Sequence, residues 1–149
     1  MRIIFLDIDG VLNTWGHDNA TYLKYQSHCD SQLLKNLETI LDEFEDARIV
    51  ISSSWGWEAV ELFKENDFAH TSRVIDITPR EKRWRGEQIK QWLDEHLNVV
   101  DNYVVIEDEI MDVCGGYCDM IPREHVVETD YRYGLTEGKM NEVIEKLRR

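Results

Sequence analysis

Short β-branched and apolar runs, most of them ending in polar or charged side chains, constrain this chain more than any other feature. Arg2 to Leu6 runs into Asp7-Ile8-Asp9-Gly10, and Arg48 to Ile51 runs into Ser52-Ser53-Ser54. A weaker strand, Ser72 to Thr78, is closed by Pro79. Tyr103 to Ile106 runs into Glu107-Asp108-Glu109, and His125 to Glu128 reads as an edge strand.

Amphipathic helices alternate with these runs. Asp30 or Ser31 caps a helix with Leu33, Leu34, Leu37, Ile40, Leu41 and Phe44 at helical spacing. Trp57 to Phe68, and Gly86 to Leu97 with Ile89, Trp92, Leu93 and Leu97 apolar, supply two more. Thr136 caps a last helix that turns Met140, Val143, Ile144 and Leu147 inward. Gly115, Gly116 and Pro122 mark a loop. This alternation predicts an α/β, doubly wound domain with a mainly parallel sheet of about five strands. Its ligand crevice then lies beyond the carboxyl ends of the strands, where the polar clusters sit.

At 149 residues the chain suits a single domain, 1–149. Thirty acidic residues against 17 Lys or Arg give a net charge of −13. Such a surface does not attract nucleic acid or anionic membrane by itself, so an anionic substrate must be drawn in locally. No apolar run approaches the ~20 residues of a membrane span, and Met1 leads into a strand rather than a signal peptide, so a cytoplasmic protein is expected. Cys29, Cys114 and Cys118 are an odd, sparse set that suits a reducing compartment. Cys114 and Cys118 with His125 resemble half a zinc site but lack a second ligand pair. His17, His28, His70 and His96 show no ligand spacing. Thr14 to Cys29 reads as a loop of functional length, whose Trp15, Tyr22, Lys24 and Tyr25 either form a lid over the acidic pocket or pack the loop down.

Asp7 and Asp9 carry the chemistry. Residues i and i+2 of an extended segment point the same way, so both carboxylates can face one pocket, and Gly10 permits a sharp turn behind them. Two like charges this close call for a bound cation or for one protonated carboxyl.

FLDIDGVLN, the hydroxyls of IVISSSW, the basic start of RGEQIKQWL and the acidic pair of VVIEDE stand in the chain order of the haloacid dehalogenase (HAD) superfamily of phosphohydrolases. Together with Tyr133 to Thr136, they most resemble the cap-less phosphatase domains of RNA-repair proteins and of polynucleotide kinase-phosphatase. The resemblance implies a Rossmann-like fold without a large cap. It also implies a Mg²⁺-dependent phosphomonoesterase working through an aspartyl-phosphate, acting on a nucleic-acid or nucleotide terminus, commonly the 3′ end.

By the same resemblance, Asp7 is the nucleophile and Asp9 the general acid and base. Ser52 binds a phosphoryl oxygen, with Ser53 or Ser54 as substitutes if the strand ends later. Arg85 is the preferred basic residue over Lys82 and Arg83. The metal ligands are Asp7, the backbone carbonyl of Asp9, and Asp108, with Glu107 standing where the family often has Asp. Gly10, Ser53, Arg83 and Trp55 are expected to contact substrate, and Trp15, Trp55 or Trp84 to stack on a terminal base. A repair kinase or ligase partner and a monomeric state complete the expectation. The alternatives are the same chemistry on a small phosphorylated metabolite or phosphoprotein, or a non-catalytic phospho-receiver module.

Overall fold

The computed structural model describes residues 1–14 and 28–149; the expected lid residues Trp15, Tyr22, Lys24 and Tyr25, and His17, lie outside them. The first apolar run forms β1 (Arg2–Leu6), buried on both faces, as a central parallel strand must be. It is flanked in register by β2 (Ala47–Ile51) and β4 (Asn102–Glu107), so that Leu6 lies opposite both Ile51 and Ile106. With β3 (Val74–Ile77) beside β2 and β7 (Val126–Glu128) beside β4, the sheet has the order β3-β2-β1-β4-β7 and is parallel throughout. A separate two-stranded hairpin, β5 (Cys114–Gly115) with β6 (Cys118–Asp119), occupies the stretch expected to be an open loop.

Side-chain alternation divides the core between the two faces of the sheet. Ile4, Leu6, Ile49, Ile51, Val104 and Ile106 pack under α1 (Ser31–Glu43), α2 (Glu58–Glu65) and α4 (Glu137–Arg148). Ile3, Phe5, Val50 and Val105 pack under α3 (Arg85–Glu95) and the residues around the hairpin. There Phe5 meets Trp92 edge to face, with ring centres 5.5 Å apart.

Two of the helix starts, those of α1 and α4, follow the caps read in the sequence. Asp30 accepts hydrogen bonds from the amides of Gln32 and Leu33, and Thr136 accepts one from Lys139. The ends depart from the sequence reading. α2 stops at Glu65 because the Asn66 side chain takes the Leu62 carbonyl (2.8 Å) and Asp67 turns to a positive φ of 54°. α3 stops at Glu95, where His96 stacks on Trp92 (3.8 Å), which leaves Leu97 70 % exposed rather than inward. The third strand begins at Val74 and not Ser72, since Thr71–Arg73 forms a 3₁₀ turn with Arg73 bound to the carbonyls of Leu41 and Phe44.

The chain runs β1, β2, β3 outward in one direction and then returns to place β4 on the other side of β1. The strand order therefore reverses between β1 and β4, and open α/β sheets bind their ligands beyond the strands' carboxyl ends at such a reversal. A receiver-type sheet would instead set its third strand beside β1, so this order rejects the receiver alternative. No helix among the described residues is long and apolar enough to cross a membrane.

Candidate active site at the strand ends

The ladder continues one residue past each central strand, with the Asp7 amide on the Ile106 carbonyl (3.1 Å) and the Ser52 amide on the Leu6 carbonyl (3.0 Å). Asp7, Ser52 and Glu107 thus stand level, two residues beyond Phe5, Val50 and Val105. By alternation they turn toward the α3 face. Arg85, the first residue of α3, meets them there. Its Nη1 donates to Glu107 Oε2 (2.9 Å) and to Asp7 Oδ1 (3.4 Å). The three competing basic residues are thereby separated. Arg83 is exposed and lies over the Trp84 ring (4.4 Å), and Lys82 is exposed as well.

Asp108 completes the group. Oxygen atoms of Asp7, Glu107 and Asp108 all come within 4.8 Å of one another, the one such metal-type grouping among the described residues. Gly10 makes this possible: its φ of 80° and missing side chain let Asp108 Oδ2 occupy the space that a Cβ would take. The Gly10 amide is bound to Asn13 Oδ1 (3.0 Å) and its carbonyl to Thr129 Oγ1 (2.8 Å), so the residue anchors the turn.

Three carboxylates against one guanidinium leave a buried surplus of negative charge. Burial, then the charge of Asp7, pushes the Glu107 carboxyl well above its usual range and raises Asp108 to about 6. Burial works against the charge on Arg85, but Glu107 and Asp7 outweigh it and hold the guanidinium firmly protonated. Hard oxygen donors carrying unrelieved negative charge fit a hard divalent cation. Glu107 has both oxygens engaged, one with Arg85 and one with the Glu109 amide (3.2 Å), so it orients the arginine as much as it faces the cluster.

Asp9 lies outside that cluster. Both its oxygens accept from the Trp55 indole N–H (3.2 Å each), and Oδ1 also from Asn13 Nδ2 (3.1 Å). Trp55, expected against a substrate base, is thus a partner of Asp9. Nothing in the sequence signalled this bond across 46 positions. Trp84 is already stacked on Tyr117 (5.2 Å). Ser52 Oγ is buried and has no hydrogen-bond partner among the described residues, an unsatisfied hydroxyl that a bound ligand could fulfil. Ser53 Oγ, by contrast, accepts from the Trp55 amide (3.2 Å).

No metal-type grouping among the described residues includes a cysteine. Cys114 takes a long contact from Arg123 (3.8 Å), and His125 is stacked on Tyr103 and bound to its carbonyl, so the half zinc site does not assemble. Burial, with Asp9 and Asp30, pushes the Cys29 thiol up to about 12, too high for a nucleophile.

No curated protein and no solved structure matches the chain significantly. A family model described as the HAD domain in Swiss Army Knife RNA repair proteins does match, over residues 3–140, and the chain belongs to that family.

Proposed function

We infer that this domain is a Mg²⁺-dependent phosphomonoesterase that removes a terminal phosphate, foremost a 3′ phosphate, from a nucleic acid or nucleotide. Family membership supports a phosphatase-type hydrolase. The observation that carries the reading is the meeting of Asp7 and Asp108, from the ends of two separate strands, with Arg85 paired to Asp7 and Glu107 beside them. In this reading a carboxylate oxygen of Asp7 attacks phosphorus as the ester P–O bond breaks, and Asp9 gives its proton to the departing oxygen. Asp9 then takes a proton from water, which attacks the aspartyl-phosphate and frees phosphate and Asp7. Arg85 and the unpartnered Ser52 hydroxyl bind phosphoryl oxygens, and Trp55 with Asn13 holds Asp9 in place. Asp7, Asp108 and the backbone carbonyl of Asp9 would hold Mg²⁺, with Glu107 beside it. The ion supplies charge neutralisation between the carboxylates and an incoming phosphate.

The natural setting we infer is a monomer in the cytoplasm beside a repair kinase or ligase, because dephosphorylation leaves a 3′ hydroxyl that a ligase can use. The test is phosphate release from p-nitrophenyl phosphate and from 3′- and 5′-phosphorylated oligonucleotides, with and without Mg²⁺. Mg²⁺-dependent turnover favouring the 3′-phosphorylated strand is expected. Equal rates on every ester, small metabolites included, would overturn the choice of substrate, and absence of turnover would overturn the activity.

A further inference from the structure

Three openings surround the strand ends, and they differ in charge. One is lined by Asp9, Ser54, Trp55 and Glu58, and another by Asp108, Glu128, Thr129, Asp130, Tyr131 and Lys139, so both present carboxylates to an approaching anion. The third, a cavity of about 170 Å³, is lined by Ser53, Ser54, Thr78, Arg80, Arg85 and Gln88 and has no carboxylate in its lining among the described residues.

This cavity has a prepared wall. Arg80 donates through Nη2 to the Ser54 carbonyl (3.1 Å), and the missing side chain of Gly56, at a φ of 54°, leaves the space that the guanidinium fills. Arg80 enters no ion pair among the described residues, and neither do the neighbouring Lys82 and Arg83, in a chain with 30 acidic residues. Arg85 belongs to both places, since it lines the cavity and touches Asp7. A group bound in the cavity is therefore one arginine side chain away from the proposed nucleophile.

We propose that this cavity is a second phosphate site, which takes the phosphate one nucleotide along from the scissile one. Two guanidiniums and two serine hydroxyls offer donors suited to a tetrahedral anion, and Arg can meet such an anion with a two-pronged bond. A strand bound there enters over Arg80 and avoids the carboxylates of the other two openings. The site would let a strongly acidic protein accept a strand end and prefer it to a lone nucleotide. The inference rests on the phosphatase reading, and its test separates the two.

The test compares kcat/KM for a nucleoside 3′-phosphate, a nucleoside 3′,5′-bisphosphate and a 3′-phosphorylated dinucleotide. The two probes with a second phosphate should be preferred by roughly tenfold, the scale of one charge-assisted contact. Arg80→Gln should bring that ratio close to one, and Arg80→Glu below one. Use of the ratio cancels any general damage to the Ser52–Gly56 turn. A ratio near one in the unaltered protein, or a ratio unmoved in both variants, overturns the proposal. So does a gain confined to the dinucleotide, which would assign recognition to base or sugar. If no ester is hydrolysed, the phosphatase reading fails on its own. Calorimetric binding of the same three probes to the unreactive protein then decides the cavity by the same ratios.

Discussion

Gly10 and Asp108 are fitted to each other, and the fit brings Asp108 into the acidic cluster. Gly10→Ala puts a side chain at a positive φ and into Asp108, so it should cost roughly 1–3 kcal/mol in urea unfolding and abolish stabilisation by Mg²⁺. Asp108 titrates near 6 in the folded chain against 3.8 for an unperturbed carboxyl. Because the folded value is raised, its contribution to stability is full below about pH 3.8 and is lost as pH rises through about 6. Metal-free Asp108→Asn should therefore be more stable than the parent at neutral pH, on the order of 1–3 kcal/mol, with the gap closing in acid. Thermal unfolding across that range checks it, and a gap that widens in acid would contradict the assignment. Trp55→Phe removes the indole N–H from Asp9 and should lower kcat by about tenfold with little change in Mg²⁺ stabilisation. At this scale the sequence singled out Asp7, Asp9 and Asp108 as candidates because strand-end position is a local property, but the i, i+2 spacing did not bring Asp9 into the cluster of Asp7 and Asp108. The Trp55 bond to Asp9 and the nesting of Arg80 over Gly56 are contacts between distant positions, which no local pattern encodes.

The helices act as mounts for the site, and their starts were more legible than their ends. Asp30 and Thr136 cap α1 and α4 through their own side chains, a signal written in the residue type. The ends at Glu65 and Glu95 are decided by contacts: Asn66 on the Leu62 carbonyl and His96 on the Trp92 ring. Helical spacing could not see these, which is why it ran on to Phe68 and Leu97. The hairpin of β5 and β6 was hidden for a similar reason, since two residues per strand are too few to show a period. Asp30→Ala should lower stability by about 1 kcal/mol, or roughly 2–4 °C in Tm, while leaving kcat/KM on p-nitrophenyl phosphate within about twofold. A large loss of activity at unchanged Tm would mean that α1 does more than support the sheet.

For the whole molecule, one topological fact places the candidate site. The strand order reverses between β1 and β4, and the candidate residues gather at that reversal from segments about a hundred positions apart. Alternating strands and helices in the sequence announced the α/β class, but the order β3-β2-β1-β4-β7 required the assembled sheet. The net charge of −13 gives the molecule a repulsive field, so on the proposed function strand binding must depend on few cations. The logarithmic salt dependence of oligonucleotide affinity should have a slope no steeper than about −2, as expected for two or three neutralised phosphates. A slope near −5 would imply an extended basic track that Arg80 and Arg85 do not form. The central claim, that Asp7 captures phosphorus, is tested most directly by acid-quenching the Asp9→Asn protein during turnover and mapping the peptides by mass spectrometry. A phosphoryl group on Asp7, absent when Asp7 is also changed to Asn, is the expected result; phosphate release with no label on Asp7, or with label on another residue, would contradict it.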